Sequence, residues 1–284
     1  MKIALSCESS ADLNKEMYEK YKINVVPFSI ILGSDLILDL DGAPQKIFDF
    51  VAKTKILPKT SAVNQEQYKE HFTNLLKNYD AIIHISLSSK LSCANSNAIL
   101  VAKEIGEDKV KVIDSFSLST GISLLLLYAR KLIDNGGELD EIVKKVEKRI
   151  PHLQVSFIAN NLEYLYKGGR CGTLAYYSAN LLKIKPKISV ENGVMLSSKK
   201  FFGLFPKILE KYFEDVMQKY NTPDLENVFI TYSTAPEQVI KSLQEKLKLR
   251  GFKNILLTRA GGTISSHCGP ECLGVLYLND GNDK

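Results

Sequence analysis

"AIIHISLSSKLSCANSNAILVAKEIGEDKVKVIDS", residues 81–115, decides how the chain is read. Residues 81–87 are apolar at nearly every position, as in a strand covered on both faces. A serine-rich turn follows, and Ser92–Ile105 has helical spacing. The apolar run 109–115 then reads as the next strand. The same alternation extends upstream, with strands expected at "KIALSC" (2–7) and "INVVPFSIIL" (23–32). Helices are expected over Pro44–Lys53 and Asn64–Lys77. Downstream, one helix covers Thr120–Asn135 and stops at "NGG", a favourable C-terminal signal. Another, 139–150, ends at Pro151.

After Pro151 the pattern restarts. "QVSFIAN" (154–160), "NVFITYS" (227–233), "NILLTRA" (254–260) and "CLGVLYL" (272–278) read as strands. "NLEYLYKGGRCG" reads as a short helix broken by glycines, and "LAYYSANLLKI" (174–184) as helical. "PKISVENGVMLSS" is a hairpin turning at Asn192–Gly193. Helices are expected over about Gly203–Tyr220 and from Ala235 to Gly251. Strand and helix alternate in both halves, which indicates α/β architecture with two domains, 1–151 and 152–284.

The length of 284 residues suits two domains. The 37 basic and 32 acidic residues are dispersed, without the clustered basic face of a nucleic-acid binder. The net charge of +5 suits an anionic ligand. Five cysteines, at 7, 93, 171, 268 and 272, lack disulfide-scaffold spacing and point to a reducing compartment, the cytoplasm. The start "MKIALSCESSADL" lacks a signal peptide's apolar region, and "GISLLLLYA" (121–129) is too short to span a membrane. Neither common phosphate loop occurs, nor H-E-x-x-H, nor the G-x-S-x-G elbow of hydrolases.

Four polar stretches sit where α/β sheets place ligands. In "LPKTSA" (57–62), Thr60 and Ser61 precede a helix candidate, so hydroxyls and free N–H groups would converge there; a plain N-cap is the alternative. "SLSSKLSCANS" (86–96) carries more hydroxyls than capping needs. In "YKGGRCG" (166–172), paired glycines allow close approach and Arg170 supplies forked donors; a turn with a surface ion pair is the alternative. "TISSHCGPECLG" (263–274) holds His267, Cys268 and Cys272. Adjacent ligands chelate poorly, so no metal is expected. A Ser–His or Cys–His dyad would need an orienting acid and an oxyanion hole, and a satisfied loop histidine is the bland alternative.

Together these stretches resemble the DegV family along essentially the whole chain: "ESSADL" (8–13), "VVPFSI" (25–30), "LPKTS", "SSKLS", "VIDS", "LEYLYKGGR", "IKPKISVENG" and "SHCGPECLGV". The resemblance implies two α/β domains with a fatty-acid tunnel between them. It implies a long-chain fatty acid as ligand, no cofactor, and a separate ATP-binding fatty-acid kinase subunit as partner, yielding acyl phosphate for phospholipid synthesis. By motif it places the carboxylate at Thr60 with Ser61, at Ser92 with Cys93 beside it, at Arg170 and at His267. A stand-alone acyl hydrolase using Ser92 and His267, or a lipid sensor, are the rival readings.

The chain departs from that pattern at Glu8, usually Asp, and at Cys93–Ala94, usually Gly-Thr. Ser265 and Glu271 stand where glycine is frequent, and Glu271 is expected to add negative charge near the anion site. "SSKKFF" replaces an Arg-rich segment. Cys93, Cys171 and Cys268 each follow a proposed head-group residue; small residues fitting tight turns is the favoured reading, and a cluster of thiols, if those residues converge, is the alternative.

Overall fold

The computed structural model describes residues 1–160, 162–172 and 184–281. The helix expected over 174–184 falls almost wholly outside them. Four parallel strands form the first sheet, in the order Ile23–Val26, Ile3–Glu8, Ala81–Ser86, Val110–Asp114. The two central strands are buried at every position. Such burial is the reason for their nearly unbroken apolar sequence.

The stretch 23–32 is two strands rather than one. Pro27 lacks the N–H that a continuing ladder needs. Ile23–Val26 stays in the parallel sheet, whereas Ser29–Leu32 pairs antiparallel with Asp35–Leu38 and Lys59–Ser61 in a small second sheet. The helix Ala43–Thr54 lies against it, burying Ile47 beside Ile30.

A third, seven-stranded sheet holds every described strand from Leu153 onward. Unlike the first it is mixed. Asn227–Tyr232 and Asn254–Arg259 run parallel, and the remaining pairs are antiparallel. Lys185–Glu191 and Val194–Phe201 form the expected hairpin, with Asn192 and Gly193 both at positive φ. Its turn reaches the other half, where the Ser88 hydroxyl donates to the Gly193 carbonyl at 2.8 Å.

The helix Thr120–Asp134 joins the two halves. Thr120–Leu127 are all buried, and the helix touches Ile3–Glu8 and Ala81–Ser86 as well as Asn227–Tyr232 and Cys272–Leu278. Its Ser123 hydroxyl donates to the Ala11 carbonyl at 2.6 Å, and Thr120 Oγ1 lies 2.6 Å from Thr231 Oγ1. One apolar core accordingly runs from Ile3 to Leu278, with a second confined to the later half. Farther out, Arg149 binds Asp224 and Asp280, tying the end of the helix Leu139–Arg149 to the last strand. No described helix is long and apolar enough to cross a membrane.

Gly121 lets this central helix sit where it does. A Cβ there would fall 2.2 Å from Ser117 Oγ and 2.7 Å from Val155 Cγ2. Gly121→Ala is therefore expected to cost about 1–3 kcal/mol through overpacking. Urea unfolding followed by circular dichroism checks this, and an unchanged midpoint would contradict the packing described.

Candidate functional site

The site begins with a helix that local sequence does not announce. Gly262–Cys268 forms seven helical residues, and Gly261 offers no side chain to cap them. The caps come from the other half of the chain. Asp39 accepts from the Gly262 N–H at 2.6 Å and from the Thr263 N–H at 2.9 Å, while Asp12 accepts from Gly261 at 2.8 Å. Carboxylates at a helix start satisfy orphan donors and oppose the positive end of its dipole. Both acids are buried and braced: Ser9 donates to Asp39 at 2.9 Å, and Ser119 donates to Asp12 at 2.5 Å. Burial pushes the Asp12 carboxyl up, against the pull of the Ser119 and Gly261 hydrogen bonds.

This helix aims His267 at Thr60. Nε2 lies 2.9 Å from Thr60 Oγ1, while Nδ1 is buried with no hydrogen-bond partner. Gly168 lies against that nitrogen, and a Cβ on it would come within 2.7 Å. Arg170, just past the helix Glu163–Gly168, donates from Nη1 to the Gly168 carbonyl at 2.7 Å and is otherwise exposed. Burial, then the Arg170 charge, holds the His267 pKa down to about 4. The imidazole is therefore neutral near pH 7.

Thr60 and Ser61 come before a helix, as the sequence suggested, but do not cap it. They lie on the edge strand Lys59–Ser61, with Thr60 opposite Ile30. The next helix starts at Gln65, with Asn64 and Gln67 forming a capping box that serves its N-terminus without them.

Two hydroxyls of the serine-rich loop are engaged away from the site. Ser86 donates to the Ile113 carbonyl and accepts from Asn95, and Ser88 is spent on Gly193. Ser92 reaches the site while its Oγ accepts from the Ala94 N–H at 3.2 Å. The loop itself hangs on Glu8, which accepts from the Leu87 N–H at 2.9 Å. Tyr68 donates to Glu8 at 2.5 Å and His84 Nε2 sits 3.0 Å away. Behind them Ser6 bridges His84 and His71 at 3.0 and 2.8 Å. Burial alone would raise the Glu8 pKa, but His84, Tyr68 and Leu87 together bring it below the usual carboxylate value. Burial holds the His71 pKa down to about 4.

Thr60, Ser61, Ser92, Cys93, Arg170 and His267 all line one cavity of about 290 Å³. The rest of its wall is largely apolar, including Phe28, Leu87, Leu118, Leu165, Met195 and Ile264. Thr263, one helical turn before His267, also lines it and was not singled out by sequence; its hydroxyl is buried and has no partner. Only the folded helix puts Thr263 and His267 on one face. No hydrogen bond joins Ser92 to His267 among the described residues, so the dyad of a hydrolase is not formed. No group of three metal-ligating side chains occurs among them either.

One sequence-specific expectation changes, and the alternative of a thiol cluster drops out. Glu271 does not line the cavity; its carboxylate accepts from Asn160 at 2.7 Å, and its φ of 55° explains why glycine suits the position. The three cysteines do not share one wall. Cys93 and Cys268 line the cavity, but the buried Cys171 thiol donates to the Met195 carbonyl at 3.5 Å.

Two half-buried imidazoles set an acid limit. His71 and His267 stay neutral in the folded chain down to about pH 4, whereas an unfolded histidine titrates near pH 6.5. Between those values the unfolded chain binds more protons, so stability is lost as pH falls from about 6.5 to about 4. The lowered Glu8 pKa adds a loss at the acid end, as pH drops through its folded value. The urea midpoint is expected to fall between about pH 7 and about pH 5, and less so with His71 and His267 both changed to Gln. A midpoint constant over that range would contradict neutral burial.

Comparison with known proteins adds the last element. The DegV family model matches residues 2–280. A Thermotoga maritima protein named fatty acid-binding protein is 28% identical over 285 residues, covering 96% of each chain. A DegV family protein from Thermus thermophilus, described as fatty acid binding, superposes with a TM-score of 0.89 at 25% identity, over 98% of this chain and 100% of that one. The fatty acid kinase B3 protein of Streptococcus pneumoniae, loaded with linoleic acid, shares the fold with a TM-score of 0.84 at 18% identity, over 99% and 100% of the two chains. With a family match across nearly its full length, this chain belongs to the DegV family.

Proposed function

We propose that the chain binds a long-chain fatty acid and presents its carboxylate to a separate ATP-dependent kinase subunit, which forms the acyl phosphate. The observation that carries this reading is a single cavity with polar groups from both halves and a largely apolar wall. Thr60 and Ser92 are the neutral donors for the carboxylate, Arg170 the fixed positive charge, and His267 an adjustable donor. Ser61 and Cys93 flank them, both exposed. The two halves, 1–151 and 152–284, act as the two domains that enclose the ligand. The reading places the protein in the cytoplasm, where its five free cysteines stay reduced.

The energetics divide between tail and head. A palmitate-like tail buries about a dozen methylenes at ~0.8 kcal/mol each, or roughly 10 kcal/mol before ordering costs. The carboxylate contributes orientation, since it must be hydrogen-bonded to enter a buried site at all. A carboxylate beside Arg170 remains ionised and able to attack a phosphoryl group. Phosphoryl transfer then needs positioning and charge neutralisation, which the kinase subunit supplies. The neutral His267 also has a part: a bound carboxylate raises its pKa, so binding takes up protons below neutral pH.

Native mass spectrometry of the purified protein tests the ligand, with one fatty acid expected per chain. Arg170→Ala and Ser92→Ala should each weaken palmitate binding about tenfold to a hundredfold, the range for hydrogen bonds to a charged group. Both should also depress acyl-phosphate formation when the kinase subunit and ATP are added. A chain that is lipid-free and binds no palmitate would contradict the reading. Tight binding without phosphate transfer would leave the sensor in its place.

A further inference from the structure

The tip of the hairpin lies between the turns that carry Ser92 and Arg170 and is hydrogen-bonded to both. Asn192 and Gly193 make the turn, at φ 51° and 83°. The Gly193 carbonyl accepts from the Ser88 hydroxyl at 2.8 Å. Ser88 in turn holds Ser92. Its carbonyl accepts from the Leu91 N–H at 2.9 Å and from the Ser92 N–H at 3.3 Å, and its hydroxyl accepts from the Lys90 N–H at 3.2 Å. Two residues beyond Gly193, Met195 lines the cavity. The Met195 carbonyl accepts from the thiol of Cys171, the residue after Arg170. One short stretch of the later half, 193–195, therefore has the Ser92 turn hung from one end and the Arg170 turn from the other.

The seat that receives the tip is shaped for it. A Cβ on Gly193 would fall 2.6 Å from Ser88 Oγ, 2.9 Å from Phe116 Cδ1 and 3.2 Å from Lys90 Cγ, so only glycine lets the turn come this close. Phe116 stands in the left-handed region, at φ 46°, which is uncommon for an aromatic residue. Asp114 grips both sides of the seat, accepting from the Phe116 N–H at 2.9 Å and from the Ser89 N–H at 3.2 Å. The Ser117 carbonyl accepts from the Ser88 N–H at 3.0 Å. A sparsely populated backbone conformation persists only where its surroundings fix it. An Asn-Gly hairpin closes without any such seat, so these contacts serve the junction with the other half.

We infer that the hairpin tip is a positioning strut that sets the separation of Ser92 and Arg170, acting through Ser88 on one side and Cys171 on the other. The inference rests on the carboxylate reading of the same cavity. Ser88, Gly193 and Cys171 do not line that cavity, so they act through residues that do. The two oxygens of a carboxylate have a fixed spacing. Donors from different halves of the chain engage it together only when their loops are locked at a matching distance by supporting hydrogen bonds. The strut gives the Ser88 hydroxyl and the Cys171 thiol one shared task.

The test measures palmitate dissociation constants of the full-length, delipidated protein by titration calorimetry. Ser88→Ala removes the bond at one end and is expected to weaken palmitate binding about tenfold. With Arg170→Ala already present the separation no longer matters, so adding Ser88→Ala is expected to cost less than about twofold. Gly193→Ala pushes the tip off its seat from the other side; it is expected to show the same pattern, and it decides alone if Ser88→Ala does not fold. Equal fold-losses with and without Arg170 would overturn the inference, because a general loosening of the fold adds independently. Unchanged palmitate affinity in both variants would overturn it too, and would leave the fatty-acid reading standing. If the unsubstituted protein binds no palmitate, that reading falls and the strut with it.

Discussion

The capping of one short helix by acids from the opposite half of the chain holds this molecule's site together. Seven residues are too few to sustain a helix in water on their own. Gly262–Cys268 persists because Asp39 and Asp12 satisfy its first N–H groups. The same contact fixes where the later half sits relative to the earlier one. His267 meets Thr60 only if that placement is right, and so does every line drawn across the cavity between Ser92 and Arg170. A site built in this way cannot exist on either half alone.

Electrostatics divides the interface into layers. The acids lie at the start of the helix, where backbone donors and the Ser9 and Ser119 hydroxyls engage their oxygens. At its end stands a neutral imidazole with one nitrogen unpaired, and Arg170 has no carboxylate partner among the described residues. The acidic side chains are thereby kept off the cavity wall, and donor capacity is left facing it. Glu8 does similar work for the first half: its carboxylate is fully engaged by Tyr68, His84 and Leu87, and holds the loop that carries Ser92. Burial of so many polar groups is tolerable because nearly all are paired. Of the seven unpaired buried side-chain atoms among the described residues, two, Thr263 Oγ1 and His267 Nδ1, lie on residues of the cavity wall.

Much of the architecture was legible because it depends on local pattern. Continuous apolar runs marked the two central strands, Asn192–Gly193 marked the hairpin, and order along the chain brought Thr60, Ser92, Arg170 and His267 under one family resemblance. What escaped reading depends on distant partners. The helix Gly262–Cys268 has no cap of its own, so nothing near it signalled a start. Thr60 looked like a helix entry because its pairing with Ile30 lies thirty residues upstream. The serines of residues 86–92 exceed what capping needs, and their use was open in the sequence; hydrogen bonds to Ile113 and Gly193 engage two of them. Pro27 was the one local signal available for the broken strand, and an unbroken apolar run around it obscured the break.

The central claim is that the two halves jointly build a site for an ionised carboxylate. Carbon-13 NMR of palmitate labelled at its carboxyl carbon and bound to the protein reads this directly. The account predicts a carboxylate shift that persists on acidification below the pH at which a free fatty acid protonates, and that moves as His267 titrates, with the second response lost in His267→Gln. A bound carboxyl carbon that titrates like free fatty acid and ignores His267 would contradict it.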